Sequence, residues 1–271
     1  MKKEILQRHK YCLEFLPSCS KLLLKYFHKK GLQVDKKGKN DLVTEADKAS
    51  EKYIIQKILS QFPEDCILGE EGGEKKGNSP YQWIIDPLDG TTNFSHRIPL
   101  YAISIAIFHL ERNQVLSGVV CLPSLGNTYY ALRGKGAFKD KKKIQVSTSN
   151  QIIDFLFCTG FPYKKTEQDV ERILVQLKAF LIKGRGVRRT GAAALDLCWL
   201  AEGKFDAFWE ESLAAWDMAA GAILVEEAGG KVTSFAGNPF HPSNPNILAS
   251  NGKIHKKLLE EFIPENYINF S

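Results

Sequence analysis

The chain has 271 residues, of which 44% are hydrophobic and 25% charged, and its formal net charge is +6. Such a composition is typical of a globular protein with a sizeable core, and it excludes an intrinsically disordered chain. The sequence has no apolar run of the roughly 20 residues that a membrane span needs and no ordinary signal peptide, so we expect a soluble, cytoplasmic protein.

Cysteines and lysines give two further expectations. The six cysteines show no CxxC spacing and lie mostly in apolar surroundings, which predicts reduced residues of the core. Lysines cluster in two loops, at positions 36, 37 and 39 and at 141–143. Runs of this kind are usually solvated turns that permit a nucleic-acid contact, and a basic balance also attracts an anionic substrate.

The first half of the chain predicts an α+β arrangement. Apolar residues at helical spacing predict a helix over 3–29, which Pro17 would kink or divide, and a second helix over 46–62. Three β-rich segments separated by turn residues then predict an antiparallel meander. Its strands are expected at 101–109, 115–121 and 127–132.

Beyond about residue 145, strands and helices alternate, which predicts an α/β second half. Helices are expected at 167–181, 192–201 and 216–228, with a short one at the end of the chain, and strands at 155–158, 206–209, 231–233 and 247–249. No low-complexity linker separates the halves. We therefore expect residues 1–145 and 146–271 to form one compact unit with a shared interface.

The segment 86–94, with the sequence Asp-Pro-Leu-Asp-Gly-Thr-Thr-Asn-Phe, is the most informative in the chain. It follows a short apolar strand, which Pro87 is predicted to end. Asp86 and Asp89 supply two carboxylates, and Gly90 allows backbone amides to point outward at a helix start, a combination that suits a metal-bridged phosphate. A turn in which Asp89 caps the following helix fits the same residues, and the turn alone leaves both interpretations open.

Three other segments place acids at helix starts or on turns. Thr44 and Asp47 have the spacing of a capping box. Glu70 lies in a Gly-rich turn after an apolar pair, where a solvated loop is the simpler interpretation. Asp217 lies in the first turn of a helix, where the macrodipole alone would favour an acid. Each segment by itself therefore has a purely structural explanation.

Together these segments resemble the inositol monophosphatase family of magnesium-dependent, lithium-sensitive phosphatases, and the resemblance covers nearly the whole chain. The matching segments are 41–44 with Asp47, 69–71, 83–94, 191–193, and 216–217 with 227–230. The segment 188–191 further resembles the bacterial branch of the family. The resemblance implies a layered αβαβα sandwich, of the type shared with fructose-1,6-bisphosphatases, and usually a homodimer.

The resemblance also implies a metal site. Glu70, Asp86 and the carbonyl of Leu88 would hold a first magnesium ion. Asp86, Asp89 and Asp217 would hold a second. A third would be bound with the help of Glu70. Converging carboxylates repel one another and so need divalent cations, and all-oxygen ligands favour magnesium, or manganese in its place, over zinc.

The mechanism that the resemblance implies is direct hydrolysis without a phosphoenzyme. A water molecule oriented by Thr91, with Asp47 behind it as base, would attack phosphorus in line while the metals neutralise the developing charge. Glu70, as a ligand of those metals, joins Thr91 and Asp47 as the predicted catalytic residues. The backbone amides of Gly90 and Thr91 would hold the phosphate.

In the same family terms, the sugar alcohol would meet residues from both halves of the chain. These are Asp89, Arg188, Gly191, Ala192, Ala193, Glu210 and Asp217, with Glu70 and Leu88 contributing through the metal site. Ala192 departs from the family, because many members have Thr or Ser at this position. The missing hydroxyl group bears on substrate preference.

The first functional hypothesis is a phosphatase for myo-inositol 1-phosphate and related sugar phosphates. It rests on Glu210, which lies seven residues before Asp217, at the family's inositol-contacting position. The alternative is the same chemistry on fructose 1,6-bisphosphate, a 3'-phosphonucleotide or histidinol phosphate. A hypothesis of another class is a binding role with RNA polymerase or ribosomal RNA, since some bacterial relatives act as partners of the transcription machinery and the basic loops permit it.

Overall fold

Five layers of helices and sheets form the part of the chain that the computed structural model describes, residues 2–36, 42–162 and 165–263. Asp41 of the first matching segment, with Lys37 and Lys39, lies outside the described residues. Within the described ranges, no helix combines the length and the apolar character that a membrane span requires. All six cysteines are buried free thiols, as their spacing predicts.

The first layer consists of the helices α1 (Lys2–Phe27) and α2 (Glu45–Gln61), with a small ribbon of β1 (Val34–Lys36) and β2 (Leu42–Thr44) between them in the chain. Helix α1 is continuous, so of the two predicted effects of Pro17 the division of the helix is wrong, while a kink stays a prediction. Its buried face, which includes Leu16 and Leu23, packs into the core on both sides of the proline. Packing of this kind holds a helix together despite one lost backbone hydrogen bond.

The second layer is a sheet of eight strands. In chain order they are β3 (Cys66–Gly69), β4 (Gly73–Lys75), β5 (Tyr81–Asp89), β6 (Ala102–His109), β7 (Gln114–Leu122), β8 (Asn127–Leu132), β9 (Ala137–Lys139) and β10 (Lys142–Ile144). Across the sheet the order is β10-β9-β8-β7-β6-β5-β3-β4, and β3 pairs with β5 in parallel. The antiparallel neighbours β6, β7 and β8 confirm the predicted meander.

Strand β5 continues beyond Pro87 to Asp89 and is followed by the short helix α3 (Thr91–Ser95), which corrects the prediction that the proline ends the strand. Asp86 and Asp89 each pair with β6, but the register shifts between them. This bulge takes Pro87 out of the regular ladder, where its missing N–H is tolerated. Both aspartates consequently stand at the end of one strand.

The remaining layers come from the second half of the chain. Its helices are α4 (Glu167–Lys183), α5 (Ala193–Ala201), α6 (Ala215–Glu227) and α7 (His255–Phe262), and its strands are β11 (Leu156–Thr159), β12 (Gly186–Arg188), β13 (Ala207–Glu211), β14 (Lys231–Thr233) and β15 (Asn246–Ser250). The strands form a mixed sheet in the order β12-β11-β13-β15-β14. Helices α5 and α6 lie between the two sheets, while α4 and α7 cover the outer side of the second. The predicted elements of this half are present, with ends shifted by one or two residues.

Close packing against the first sheet fixes the position of helix α6. A Cβ at Gly118 of β7 would lie 2.5 Å from the carbonyl oxygen of Ala220 in α6, so this contact requires glycine. Ser104 of β6 donates a hydrogen bond to the carbonyl oxygen of Trp216 at 3.1 Å. The first turn of α6, which carries Asp217, is thereby held beside β5 and β6.

Candidate active site

The start of helix α2 carries a capping box that faces the interior. The amide of Thr44 donates to Asp47 Oδ2 at 2.8 Å, and Thr44 Oγ1 accepts from the amide of Ala46 at 3.1 Å, which confirms the predicted box. The other carboxylate oxygen, Asp47 Oδ1, accepts a hydrogen bond from Thr91 Oγ1 at 3.0 Å. Burial raises the pKa of Asp47, and the hydrogen bonds from Thr44 and Thr91 oppose this. Asp47 is therefore both a cap and a partner of Thr91.

The bulge at the end of β5 is stabilised from several directions. Asp86 is 1% exposed, and its Oδ1 accepts from the amide of Leu88 at 2.9 Å. The carbonyl oxygen of Leu88 lies 3.1 Å from Thr91 Oγ1. Ser50 of α2 donates to the carbonyl oxygen of Pro87 at 2.9 Å, so the helix supports the bulge from one side.

Asp89 caps a helix, but not the one that follows it. Helix α3 has Gly90 at its N-cap, with φ 87° and no capping side chain. Asp89 instead reaches α5, where its Oδ2 accepts from the amide of Ala194 at 2.8 Å. Burial raises the pKa of Asp89 to about 7, and the amides at the start of α5 oppose this shift. The interpretation of Asp89 as a local cap is therefore wrong, and the residue joins the two halves of the chain.

The turn at Gly90 packs directly on the segment that precedes α5. A Cβ at Gly90 would lie 3.1 Å from the Cβ of Ala192, so the two backbones approach closely here. Asn93 Nδ2 donates to the carbonyl oxygens of Leu100 at 2.7 Å and Thr190 at 2.8 Å. The segment predicted to contact the substrate is consequently adjacent to the turn that carries Gly90.

Glu70 and Asp217 approach Asp86 from two other elements. The amide of Glu70 donates to the carbonyl oxygen of Ile85 at 3.2 Å, which ties the β3–β4 turn to β5. Asp217 Oδ2 accepts from a backbone amide at 2.7 Å at the start of α6. Burial raises the pKa of Asp86 well above its usual range, and the charges of Glu70, Asp89 and Asp217 raise it further. The structure therefore places Glu70, Asp89 and Asp217 within electrostatic reach of Asp86.

The residues around Asp86 are suited to bind a divalent cation through oxygen atoms. The four carboxylates and the Leu88 carbonyl offer only oxygen donors, and the repulsion that the other acids exert on Asp86 calls for positive charge. Over residues 2–36, 42–162 and 165–263, no three His, Cys, Asp or Glu side chains converge closely enough to enclose an ion by themselves. Backbone oxygen and water would therefore have to complete the coordination of a bound cation.

A cleft of about 90 Å³ opens beside these acids. Its lining includes the predicted substrate residues Asp89, Gly191, Ala192, Ala193, Glu210 and Asp217, together with Phe161, Arg189 and Asp196. Arg188, at the end of β12, is exposed and donates to the carbonyl oxygen of Val187, while the next residue, Arg189, lines the cleft. Successive residues of an extended segment face opposite sides. The substrate contact of Arg188 stays a prediction.

Asp196 is an acid of the cleft that was not predicted. It is 1% exposed and accepts from Thr190 Oγ1 at 2.5 Å, and burial raises its pKa to about 8. The Glu210 carboxylate fills the space over Gly160, where a Cβ would lie 2.1 Å from both of its oxygens. Burial, followed by the charges of Asp196 and Asp217, raises the pKa of Glu210 well above its usual range. The sequence signal that could have revealed Asp196 was a lone acid within the apolar run of α5.

Comparisons with known proteins agree on one family. The inositol monophosphatase family model matches residues 13–266. The Nus factor SuhB of Pseudomonas aeruginosa is 40% identical over 237 residues, which cover 86% of this chain and 87% of that protein. The inositol-1-monophosphatase of Rhizobium meliloti is 42% identical over 231 residues, which cover 84% of this chain and 85% of that protein.

A solved structure extends the comparison to the fold. The IMPase of Thermotoga maritima matches with a TM-score of 0.86 at 33% identity, over 97% of this chain and 98% of that one. Together with the five observed layers, this likeness confirms the αβαβα sandwich that the sequence resemblance implies. The chain therefore belongs to the inositol monophosphatase family.

Proposed function

We propose that the protein is a magnesium-dependent phosphomonoesterase that hydrolyses myo-inositol 1-phosphate and related sugar phosphates. The observation that carries the proposal is the Thr91–Asp47 hydrogen bond next to Asp86, an acid within electrostatic reach of Glu70, Asp89 and Asp217. Asp89 and Asp217 also line the cleft. Family membership supports a phosphatase in general terms. The choice of metal, of substrate and of the residue roles belongs to the proposal.

Two to three magnesium ions, which manganese could replace, would bind around Asp86. Glu70, Asp86 and the carbonyl of Leu88 would bind one of them, and Asp86, Asp89 and Asp217 another. Magnesium, when bound, supplies positive charge to the phosphoryl oxygens and the leaving alkoxide and lowers the pKa of water. Lithium sensitivity is an expectation from the family.

The Thr91–Asp47 pair gives the attacking water both an orientation and a base. The Thr91 hydroxyl has a single hydrogen, which Asp47 Oδ1 at 3.0 Å or the Leu88 carbonyl oxygen at 3.1 Å can accept, and its lone pairs remain available to a water molecule. A proton that leaves the water can pass to the Thr91 oxygen as the threonine's own hydrogen moves to Asp47. Asp47 suits this role because burial raises its pKa and Thr44 anchors its second oxygen. The amides of Gly90 and Thr91 would hold the phosphate during this step.

The far end of the cleft favours a polyol over a second phosphate. Asp196 and Glu210 place two buried acids there beside one guanidinium, that of Arg189. A second phosphate group would find only one positive charge there, whereas hydroxyl groups can hydrogen-bond to the two acids. Ala192 offers no hydroxyl of its own and packs against Gly90, so the choice among alcohols depends on the acids.

A substrate panel in the presence of magnesium tests the choice of substrate. We expect myo-inositol 1-phosphate to be turned over faster than fructose 1,6-bisphosphate, a 3'-phosphonucleotide or histidinol phosphate. Slow turnover of the inositol phosphate beside rapid turnover of a bisphosphate would overturn the substrate assignment and leave the phosphatase assignment intact.

The substitution Asp217→Asn tests the metal site. Because phosphoryl transfer depends on charge neutralisation, we expect turnover to fall at least ~10³-fold and magnesium binding to weaken in calorimetry. Glu226→Gln is a matched control on the same helix, since Glu226 pairs with Arg133 at the surface, and it should change neither quantity. Near-normal activity of Asp217→Asn would contradict the site assignment.

A second candidate function is a binding role with the transcription machinery. The relative from Pseudomonas aeruginosa is named a Nus factor, and Lys141, Lys142 and Lys143 are exposed at the β9–β10 turn. A pull-down with RNA polymerase or ribosomal RNA at increasing salt tests this role. Binding should be lost when the three lysines are replaced by alanine, with phosphatase activity intact. Binding that survives the replacement would exclude this surface.

Two copies of the chain are also expected to associate, as is usual in the family. Helix α4 exposes Leu174, Val175, Leu181 and Ile182, each by 52% to 69%, and burial of these side chains in a dimer would be favourable. Light scattering over a range of concentrations tests the expectation, and a monomer throughout would contradict it. The cytoplasmic location stays a prediction, which cell fractionation can test.

A further inference from the structure

Helix α2 presents a second acid to the site, one turn after Asp47. Glu51 is only 4% exposed, and the two acids share one side of the helix because they are four residues apart. Asp47 meets Thr91, while Glu51 reaches the turn between β3 and β4. The proposed chemistry gives Glu51 no part.

The β3–β4 turn is folded around the Glu51 carboxylate. The amide of Glu71 donates to Glu51 Oε1 at 3.2 Å. A Cβ at Gly69 would lie 2.0 Å from Oε1, and one at Gly72 would lie 3.4 Å from Oε2. Gly69 ends strand β3 and does not have a positive φ, so its backbone would accept any residue. A side chain at position 69 would therefore have to displace the Glu51 carboxylate from the turn.

The same turn carries Glu70, and two successive amides anchor it. The amide of Glu70 donates to the carbonyl oxygen of Ile85 in β5, and the amide of Glu71 donates to Glu51 in α2. The residues that follow in the turn and in β4 are exposed. Glu70 is consequently fixed between the strand that carries Asp86 and the helix that carries Asp47.

We propose that Glu51 is a positioning residue for the metal site, whose carboxylate holds the β3–β4 turn so that Glu70 is directed toward Asp86. The inference rests on the proposed function, because it requires Glu70 to be a metal ligand. A carboxylate suits the task, since amides form stronger hydrogen bonds to a charged acceptor than to a neutral one. Residues that orient a metal ligand without contacting the metal typically change metal affinity by about 10- to 100-fold when they are replaced.

Magnesium binding measured by calorimetry on the full chain, without substrate, tests this role. We expect Glu51→Ala to raise the Kd for magnesium at least ~10-fold and to raise the magnesium concentration for half-maximal activity by the same factor. Turnover at saturating magnesium should fall much less. A merely structural role would reduce the amount of folded protein and leave the Kd of the folded fraction unchanged. Glu51→Gln keeps an oxygen for the Glu71 amide and should recover most of the affinity.

Glu74→Ala is the matched control, because it removes an exposed acid from the same hairpin. It should leave the magnesium affinity unchanged. A loss as large as that of Glu51→Ala would show that general charge near the site, and not the held turn, sets the affinity, and would overturn the proposal.

Gly69→Ala provides a second route that does not depend on the stability of Glu51→Ala. Its methyl group would displace the Glu51 carboxylate, so this substitution alone should weaken magnesium binding. Added to Glu51→Ala it should cost little more, because the displaced side chain is already absent. Equal magnesium affinity in the wild type and the Glu51 variants, or full additivity of the two substitutions, would overturn the positioning role. A wild type that binds no magnesium would instead overturn the proposed function.

Discussion

Helices α2 and α4 begin with the same capping box, but the two boxes lie in different surroundings. In α2 the box is formed by Thr44 and Asp47, and in α4 by Thr166 and Asp169. The backbone hydrogen bonds match closely, since the amide of Thr44 donates to Asp47 at 2.8 Å and that of Thr166 to Asp169 at 2.7 Å. The α2 box is buried in the interior, whereas Thr166 is exposed on the outer layer of the protein.

The two boxes differ in what the spare oxygen of each aspartate contacts, which is the carboxylate oxygen that takes no part in the cap. Asp47 Oδ1 accepts from Thr91 at the proposed site of water attack, while Asp169 Oδ1 pairs with Arg172 on its own helix. Burial raises the pKa of Asp47, but hydrogen bonds from the backbone and side chain of Thr166 lower that of Asp169. A cap that can be predicted from sequence thus gains a chemical role only through what its second oxygen contacts.

The comparison is tested most strongly by replacing the two aspartates. Asp47→Asn keeps an oxygen for the cap but loses the basic carboxylate, so we expect turnover at saturating magnesium to fall about 10³-fold. Asp169→Asn makes the same chemical change at the other box and should leave turnover unchanged. Steady-state kinetics of both variants measures the contrast. Equal activity of the two would reduce the α2 box to a cap.

Thr91→Ala sharpens the comparison, because it removes the partner of the spare oxygen and leaves the cap in place. If Thr91 orients the water, turnover should fall about 10²-fold while KM changes little. Thr92→Ala, at the next position of α3, is the matched control and should keep near-normal turnover. A change confined to KM would assign Thr91 to substrate binding and contradict its proposed role.

Local contacts account for the part of the fold that the sequence predicts. The Thr44–Asp47 box joins residues three positions apart, and the meander of β6, β7 and β8 has β-rich segments bounded by turn residues. The long-range contacts that assemble the site leave no such signal. Asp89 and Ala194 are 105 residues apart, so the only cap that the sequence offered for Asp89, as one of two open interpretations, was on the next helix, and the cap on α5 was missed.

A smaller error has the same origin. Pro87 was predicted to end β5 because the sequence does not show the bulge that lets the strand continue against β6. Arg188 ends β12, and Arg189 follows it; a strand of three residues is too short for its sequence pattern to fix which of the two side chains faces the cleft. A register error of one residue reverses that choice.

Removal of the two capping threonines should affect stability unequally. Thr44→Ala takes a hydrogen-bond partner from a buried box and should lower the free energy of unfolding by about 2 kcal/mol. At the exposed box of α4, water can replace the cap that Thr166→Ala removes. This substitution should therefore lower the free energy of unfolding by only about 0.5–1 kcal/mol. Urea denaturation in the absence of metal measures both. Equal losses would show that burial adds nothing to the α2 cap.

Arg172→Ala removes the partner of the spare oxygen at α4, as Thr91→Ala does at α2, and should have the smallest effect. The ion pair with Asp169 is partly exposed, and a pair of this kind contributes less than about 0.5 kcal/mol once solvent screening is included. Arg172 also lies 3.6 Å from Glu211, a second weak contact that its loss would remove. Urea denaturation should therefore show a small shift, and turnover should stay at the wild-type value because neither contact reaches the cleft lining. A large loss of turnover would mean that the start of α4 also serves the reaction, and the contrast between the two boxes would no longer hold.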